Sequence, residues 1–231
     1  MILQERQSKI IEILKKDHLA NVKYLAKKLY VSEATIRRDL RELHSLGIIE
    51  RSHGGAILPN NSDEISIYIR MVKNAKAKQK IATNALKILP KFNSVFIDSS
   101  STALALAERM DLSFKTVVTN NLQTALQLTK KENVHLILIG GNIGYSSIST
   151  TGSWTVRQVK EFTFDLMLLS CTAITNEEVY EQSLEQREIK LAALQRSKKR
   201  ILLVDSSKFS AKATHKLVDL ESFDFVITEK C

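Results

Sequence analysis

The sequence predicts an α/β protein: a small helical head closed by a hairpin, then a larger α/β domain with a mostly parallel sheet. Three observations carry this prediction. The first quarter of the chain holds apolar stripes at helical spacing, then two short β-like runs around a glycine pair. From Ser94 onward, short apolar runs alternate with amphipathic stretches, the pattern of parallel strands joined by crossover helices. The 7 glycines fall only between Gly47 and Gly55 and between Gly140 and Gly152, so backbone freedom is concentrated at two places.

In the head, Ile10, Ile11, Ile13 and Leu14 form the first stripe. Asn21 is placed as the N-cap of a second helix, with Val22, Leu25, Ala26 and Leu29 at i, i+3, i+4 and i+7. A tight connection follows, and Ser32 caps a third helix that stops at Gly47. Two short helices joined by about three residues, the second opening on serine, form a helix-turn-helix. The stretch "IIERSHGGAIL" then reads as a hairpin in the position of a wing.

At about 100° per residue, Ile36, Leu40 and Leu43 share one face of the third helix, and Ala34, Arg37, Arg38 and Arg41 the other. The planar fork of arginine suits phosphates and the guanine edge. Ser32 and Thr35 sit at the helix start, where side chains reach phosphate or base edges. On the wing, Arg51 and His53 flank Gly54 and Gly55, a pair able to lie close to a sugar-phosphate backbone. The expectation is a winged helix-turn-helix over residues 1–58 that binds double-stranded DNA through these residues. The alternative is a helical bundle with a solvated basic face.

Pro59 and "NNSDE" end the head, and residues 59–75 read as a linker. From Ile65 to Ile97 there is no acidic residue, while bases recur from Arg70 to Lys91. Such a run is a solvated surface or an added source of phosphate attraction. The second domain is placed at residues 76–231.

Its strand-like runs are "SVFID", "KTVVTN", "VHLILIGG", "FDLMLLS", "RILLVD" and "FDFVIT". In such sheets ligands bind beyond the carboxyl ends of the strands. Those ends carry Asp98 with Ser99, Ser100, Ser101 and Thr102; Thr119 with Asn120 and Asn121; Gly140 with Gly141; Ser170 to Thr172; and Asp205 to Lys208. The run "DSSSTA" opens a helix with hydroxyls and backbone N–H groups, a natural anion cradle. Without a ligand it is simply an N-cap run.

Composition bounds the classes. The chain has 231 residues, 44% hydrophobic and 26% charged, with a net charge of +9. That balance favours polyanionic partners. The longest apolar runs are too short to span a bilayer. The amphipathic N-terminus lacks the features of a signal peptide. Cys171 and Cys231 cannot make a disulfide framework or a structural zinc site, and the 5 histidines lack ligand spacing, so no metal or cofactor is expected. A reducing cytoplasm is the expected setting.

The segment "VSEATIRRDLRELHSLGIIERSHGGA" closely resembles the signature of the DeoR family of bacterial sugar-metabolism regulators, S-x-x-T-I/V-R-R-D-L, then L-x-x-x-G, then R-x-H-G-G-A. The resemblance extends over the second domain. The family marks D-x-G-T/S-T, T-N, G-G, E-x-K and D-x-S/T-K-F/W match Asp98 to Thr102, Thr119-Asn120, Gly140-Gly141, Glu188 with Lys190, and Asp205 to Phe209. It implies a fold like that of ribose-5-phosphate isomerase and CoA transferases, and a pocket for a phosphorylated sugar. The first loop would hold the phosphate, and Lys190 and Lys208 would supply positive charge or hydroxyl contacts. Two positions depart: Ser100 replaces a family glycine, which disfavours the expected dihedrals, and Glu178 falls near another, adding negative charge at the pocket mouth.

The expected function is an operator-binding regulator, a repressor of a sugar-utilisation operon released by a phosphorylated sugar. It would act as a homodimer or homotetramer, because paired helices read repeated half-sites. The alternative is a sugar-phosphate isomerase or deaminase carrying a nucleic-acid-binding domain, which would need an acid/base pair aimed at the substrate, with Asp98 and Glu188 as the candidate carboxylates.

Overall fold

The computed structural model describes residues 5–52, 54–58, 66–144 and 146–230. His53 and residues 59–65 therefore lie outside the described residues. Two compact units divide the chain, Met1–Lys73 and Asn74–Cys231.

In the first unit, α1 (Glu5–Asp17) leads into a three-residue strand β1 (Leu19–Asn21), then α2 (Val22–Leu29) and α3 (Glu33–Ser45). The caps anticipated from sequence are present: Asn21 Oδ1 accepts from the Tyr24 N–H at 2.8 Å and Ser32 Oγ from the Thr35 N–H at 3.2 Å. Gly47, at φ +66°, follows the end of α3 in the left-handed region. Ile10, Leu14, Leu25, Ile36, Leu40 and Leu43 build the core.

The hairpin of β2 (Glu50–Ser52) and β3 (Gly55–Ile57) gains β1 as a third strand, in the order β1-β3-β2. A Cβ on Gly55 would stand 2.4 Å from the Ala20 carbonyl oxygen, so only glycine admits this approach. Gly55 is buried in the sheet, and its close packing on β1 requires glycine there. Within the segment expected as a linker, α4 (Ile67–Val72) is helical, and Ile69 joins the core of the first unit.

The second unit opens with α5 (Ala75–Leu86). The six apolar runs singled out above become β4 (Ser94–Ile97), β5 (Thr116–Thr119), β6 (His135–Leu138), β9 (Phe164–Leu169), β12 (Ser197–Leu203) and β14 (Phe225–Ile227). They form one sheet in the order β14-β12-β9-β4-β5-β6, parallel throughout. Interleaved are α6 (Ser101–Ala107), α7 (Leu122–Leu128), β7 (Asn142–Gly144), β8 (Ser149–Thr151) and α8 (Ser153–Lys160). A three-stranded antiparallel sheet comes from β10 (Ala173–Ile174), β11 (Glu178–Glu181) and β13 (His215–Asp219), with α9 (Leu184–Gln195) between the last two.

Strand alternation explains the two cores. Val95, Ile97, Leu166, Leu168, Ile201 and Leu203 face α5, α6 and α7. Phe96, Met167, Leu169 and Leu202 face α8, α9 and the antiparallel sheet. Because every strand of the main sheet runs the same way, its carboxyl ends gather at one end of the domain. Lys78, part of the basic run, is buried on α5 and so is not solvated surface.

Candidate functional site

On α3 the two faces separate as expected. Ser32, Ala34, Arg37, Arg38 and Arg41 are exposed and Thr35 is half-buried. Arg37 meets Glu33 one turn earlier at 3.4 Å, a loose surface contact that DNA can displace. Arg37, Arg51, Ser52 and Gly54 line one small crevice, so the wing arginine and the helix arginine lie side by side. Gly54, at φ +80° with open space around its Cα, is the wing's tight turn. Asp39 points the other way. It is buried, and its Oδ1 accepts from Arg6 Nη2 at 2.9 Å. Sequence reasoning had not given this acid a role.

At the carboxyl end of the sheet, the first loop is knotted by its own hydrogen bonds. Asp98 Oδ1 accepts from the Ser100 N–H at 3.0 Å and from Ser100 Oγ, and its Oδ2 accepts from the Ser170 N–H at 3.2 Å. Ser100 Oγ in turn accepts from the Ala103 N–H at 3.1 Å, capping α6. Ser99 Oγ donates to Gln186 Oε1 at 2.9 Å, and Gln186 Nε2 donates to Ser149 Oγ at 2.7 Å. Ser101 and Thr102 are buried in the first turn of α6.

Lys190 enters this network from α9. Its ammonium donates to the Ser170 carbonyl at 2.7 Å, pairs with Asp98 Oδ2 at 3.2 Å, and donates to Glu181 Oε1. All three charged side chains are buried. Burial alone would lower the lysine pKa, but Glu181 and Asp98 outweigh it and hold the pKa well above its ordinary value. Two carboxylates for one ammonium leave this cluster short of positive charge.

Glu188 is not part of it. About 200° of helix rotation separates residues two apart, so Glu188 faces outward and meets Arg187 at 2.7 Å. Besides Asp98, the carboxylate that meets Lys190 is Glu181, which sequence reasoning missed. Gln186 was missed as well, although the i, i+4 spacing places it on the Lys190 face of α9.

Asn120 holds the end of β5 to β8, its Nδ2 donating to the Thr150 carbonyl at 3.0 Å, while Thr119 Oγ1 accepts from the Asn121 N–H at 3.2 Å within the turn. The Gly140 carbonyl accepts from Thr155 Oγ1 at 2.9 Å, and a Cβ on Gly141 would fall 2.0 Å from that hydroxyl. This glycine pair serves the packing of α8. Lys208, half-buried, lies in a short 3-10 turn, Ser206–Phe209, that follows Asp205.

Residues 73–230 match the family model for the DeoR C terminal sensor domain, and residues 6–62 that for the DeoR-like helix-turn-helix domain. The chain belongs to the DeoR family. It is 32% identical to the HTH-type transcriptional regulator GolR of Listeria innocua, over 97% of this chain and 90% of that one. It is 31% identical to the glycerol-3-phosphate regulon repressor of Escherichia coli, again over 97% and 90%. Among solved structures, the Pyrococcus horikoshii OT3 translation initiation factor eIF-2B has a similar fold, with a TM-score of 0.50 and 14% identity over 99% of this chain and 96% of that one.

The DeoR-family chain is a DNA-binding transcriptional regulator, and its two departures from the family pattern can be placed. Ser100 adopts φ −84° and ψ 142°, ordinary extended backbone, so the dihedral conflict expected at this position is absent. Its hydroxyl and amide serve Asp98 and α6. Glu178 accepts from Lys216 Nζ at 2.6 Å and from the Tyr180 hydroxyl, and Lys216 is the main cause of its lowered pKa. Its charge is balanced locally. Cys171 is buried, and burial pushes its thiol up to about 12, so it stays protonated and inert near neutral pH. No helix among the described residues is long and apolar enough to cross a membrane.

Proposed function

We propose that this regulator represses a sugar-utilisation operon, works in the cytoplasm as a homo-oligomer, and leaves its operator when a phosphorylated sugar binds the sensor domain. The observation that supports it most is the exposed arginine face of α3, set beside Arg51 and borne on the same chain as a sensor domain. The DNA contacts are assigned to Ser32, Ala34, Thr35, Arg37, Arg38, Arg41, Arg51 and Gly54. The phosphate is assigned to the loop from Ser99 to Thr102, with Lys208 supplying positive charge. Lys190 does not supply it, because its charge is committed to Asp98 and Glu181.

The enzyme reading is disfavoured on the same geometry. A carboxylate has about four acceptor sites. Those of Asp98 take Ser100 twice, Ser170 and Lys190, which leaves none to abstract a substrate proton.

Arg37→Ala and Arg38→Ala are each expected to weaken operator binding by roughly 1–3 kcal/mol while the fold persists. Gel-shift titration alongside circular dichroism checks this, and unaltered affinity in both variants would remove the assignment. The effector is expected to lower operator affinity by about 5–150-fold, and operator DNA must lower effector affinity by the same factor. Calorimetry with a panel of free and phosphorylated sugars, with and without operator, measures both. A phosphosugar that binds but leaves operator affinity unchanged would sink the switch.

A further inference from the structure

We infer that the open edge of β6 is a twofold interface covered by a second copy of this chain. β6 ends the main sheet, with β5 as its neighbour. The amides of His135 and Ile139 donate to the Lys115 and Thr119 carbonyls at 3.0 and 2.9 Å. Backbone groups alternate along a strand, so those of Leu136 and Leu138 point to the open side. Natural sheets guard such an edge with lysine, proline or a bulge. The strand His135–Leu138 carries none of these.

The surroundings are apolar. Leu138 is 43% exposed, Leu126 on α7 62%, Ile143 on β7 56% and Trp154 on α8 61%. α7 packs on β6. The first turn of α8 lies beside the segment leaving β6, because Gln158 bonds both the Trp154 carbonyl and Gly140. The opposite edge differs: β14 is three residues long, and the preceding Asp224 engages Lys199 at 2.7 Å and the Arg200 N–H at 2.9 Å.

Four side chains at these exposures offer on the order of 400 Å² of apolar surface, about half of the ~800 Å² that each partner contributes to a stable interface. A second copy fits this edge for two further reasons. A strand paired antiparallel with itself across a twofold axis satisfies both copies' open groups with one patch. That arrangement sets the His135 end of one strand against the Leu138 end of the other, so the basic Lys130 and Lys131 do not face their own copies. The chain also carries one recognition helix, and repeated half-sites are read by two.

The test is sedimentation equilibrium of the full chain at micromolar concentration, without DNA or effector. The expected mass is a multiple of the chain's own. Leu138→Arg and, on a different element, Leu126→Glu should each weaken association by roughly tenfold or more with unchanged circular dichroism. Hydrogen exchange of the unmodified protein should show protection of the Leu136 and Leu138 amides that disappears on dilution to monomer. This readout decides the matter even if Leu138→Arg misfolds. A monomeric wild type, association unmoved by both folded variants, or freely exchanging Leu136 and Leu138 amides in the oligomer would each overturn the inference. The inference rests on the proposed homo-oligomer: a monomeric wild type removes both, whereas association unmoved by the variants or freely exchanging amides removes only this edge. The sensing proposal stands in either case, because nothing in the measurement depends on a ligand.

Discussion

Lys190→Met should destabilise the second unit by about 3–5 kcal/mol, the usual consequence of removing one partner from a buried ion cluster. In a domain of this size that is a fall in the thermal midpoint on the order of 10 °C. Methionine keeps most of the side chain's volume, so packing changes little. What changes is that Asp98 and Glu181, both buried, lose their shared cation, and the Ser170 carbonyl loses its donor. Adding Glu181→Gln to Lys190→Met removes one of the stranded charges and should recover part of the loss. Glu188→Ala, on the outer face of the same helix, is the control and should leave the midpoint unchanged. The pH dependence has a definite sign. The lysine pKa is raised in the folded state, so its contribution is complete below the unfolded value of about 10.4 and declines only as pH rises beyond it. A Lys190→Met midpoint within a degree of wild type across neutral pH would show that the cluster is not a structural element.

Operator affinity should fall by about 10³–10⁵ between 50 and 200 mM salt if a pair of heads makes on the order of 6–10 phosphate contacts. The exposed arginines at 37, 38, 41 and 51 supply the charge. Part of the basic run from Arg70 to Lys91 does not, since Lys78 is buried. Anisotropy titrations across salt give the slope. An arginine that meets phosphate should lower the slope by about one when replaced by alanine, whereas one that reads a base should change sequence preference instead. A nearly flat plot would rule out an electrostatic interface of this size.

The six parallel strands were legible because each is a short apolar run, and the central β4, β5 and β9 are buried on both faces. The short strands β1, β7, β8, β10 and β11 were not, because they lie outside any apolar run or paired turn signal. The exposed arginine face of α3 was legible because one helix's rotation fixes which side chains share a side. The sensor site was legible only in part. The strand ends meet as anticipated, yet which groups remain for a ligand depends on partners far apart in sequence. Asp98 and Lys190 are both marked by the family pattern, but only the fold shows that they pair with each other and that Glu181 shares the same ammonium. The close packing of Gly55 on β1 was likewise not legible, because β1 lay in a stretch with no strand signal.

The adjacent residues Arg38 and Asp39 turn to different sides of α3, one to solvent and one to Arg6. On the proposed assignment of the DNA contacts, stability and target choice are written on separate positions of a single helix. Random replacement at 34, 37, 38 and 41 should yield folded proteins with altered operators, while the same treatment of 36, 39, 40 and 43 should yield mostly unfolded ones. Such a division lets descendants of one gene acquire new regulons by changing a handful of codons, with no need to rebuild the head that carries them.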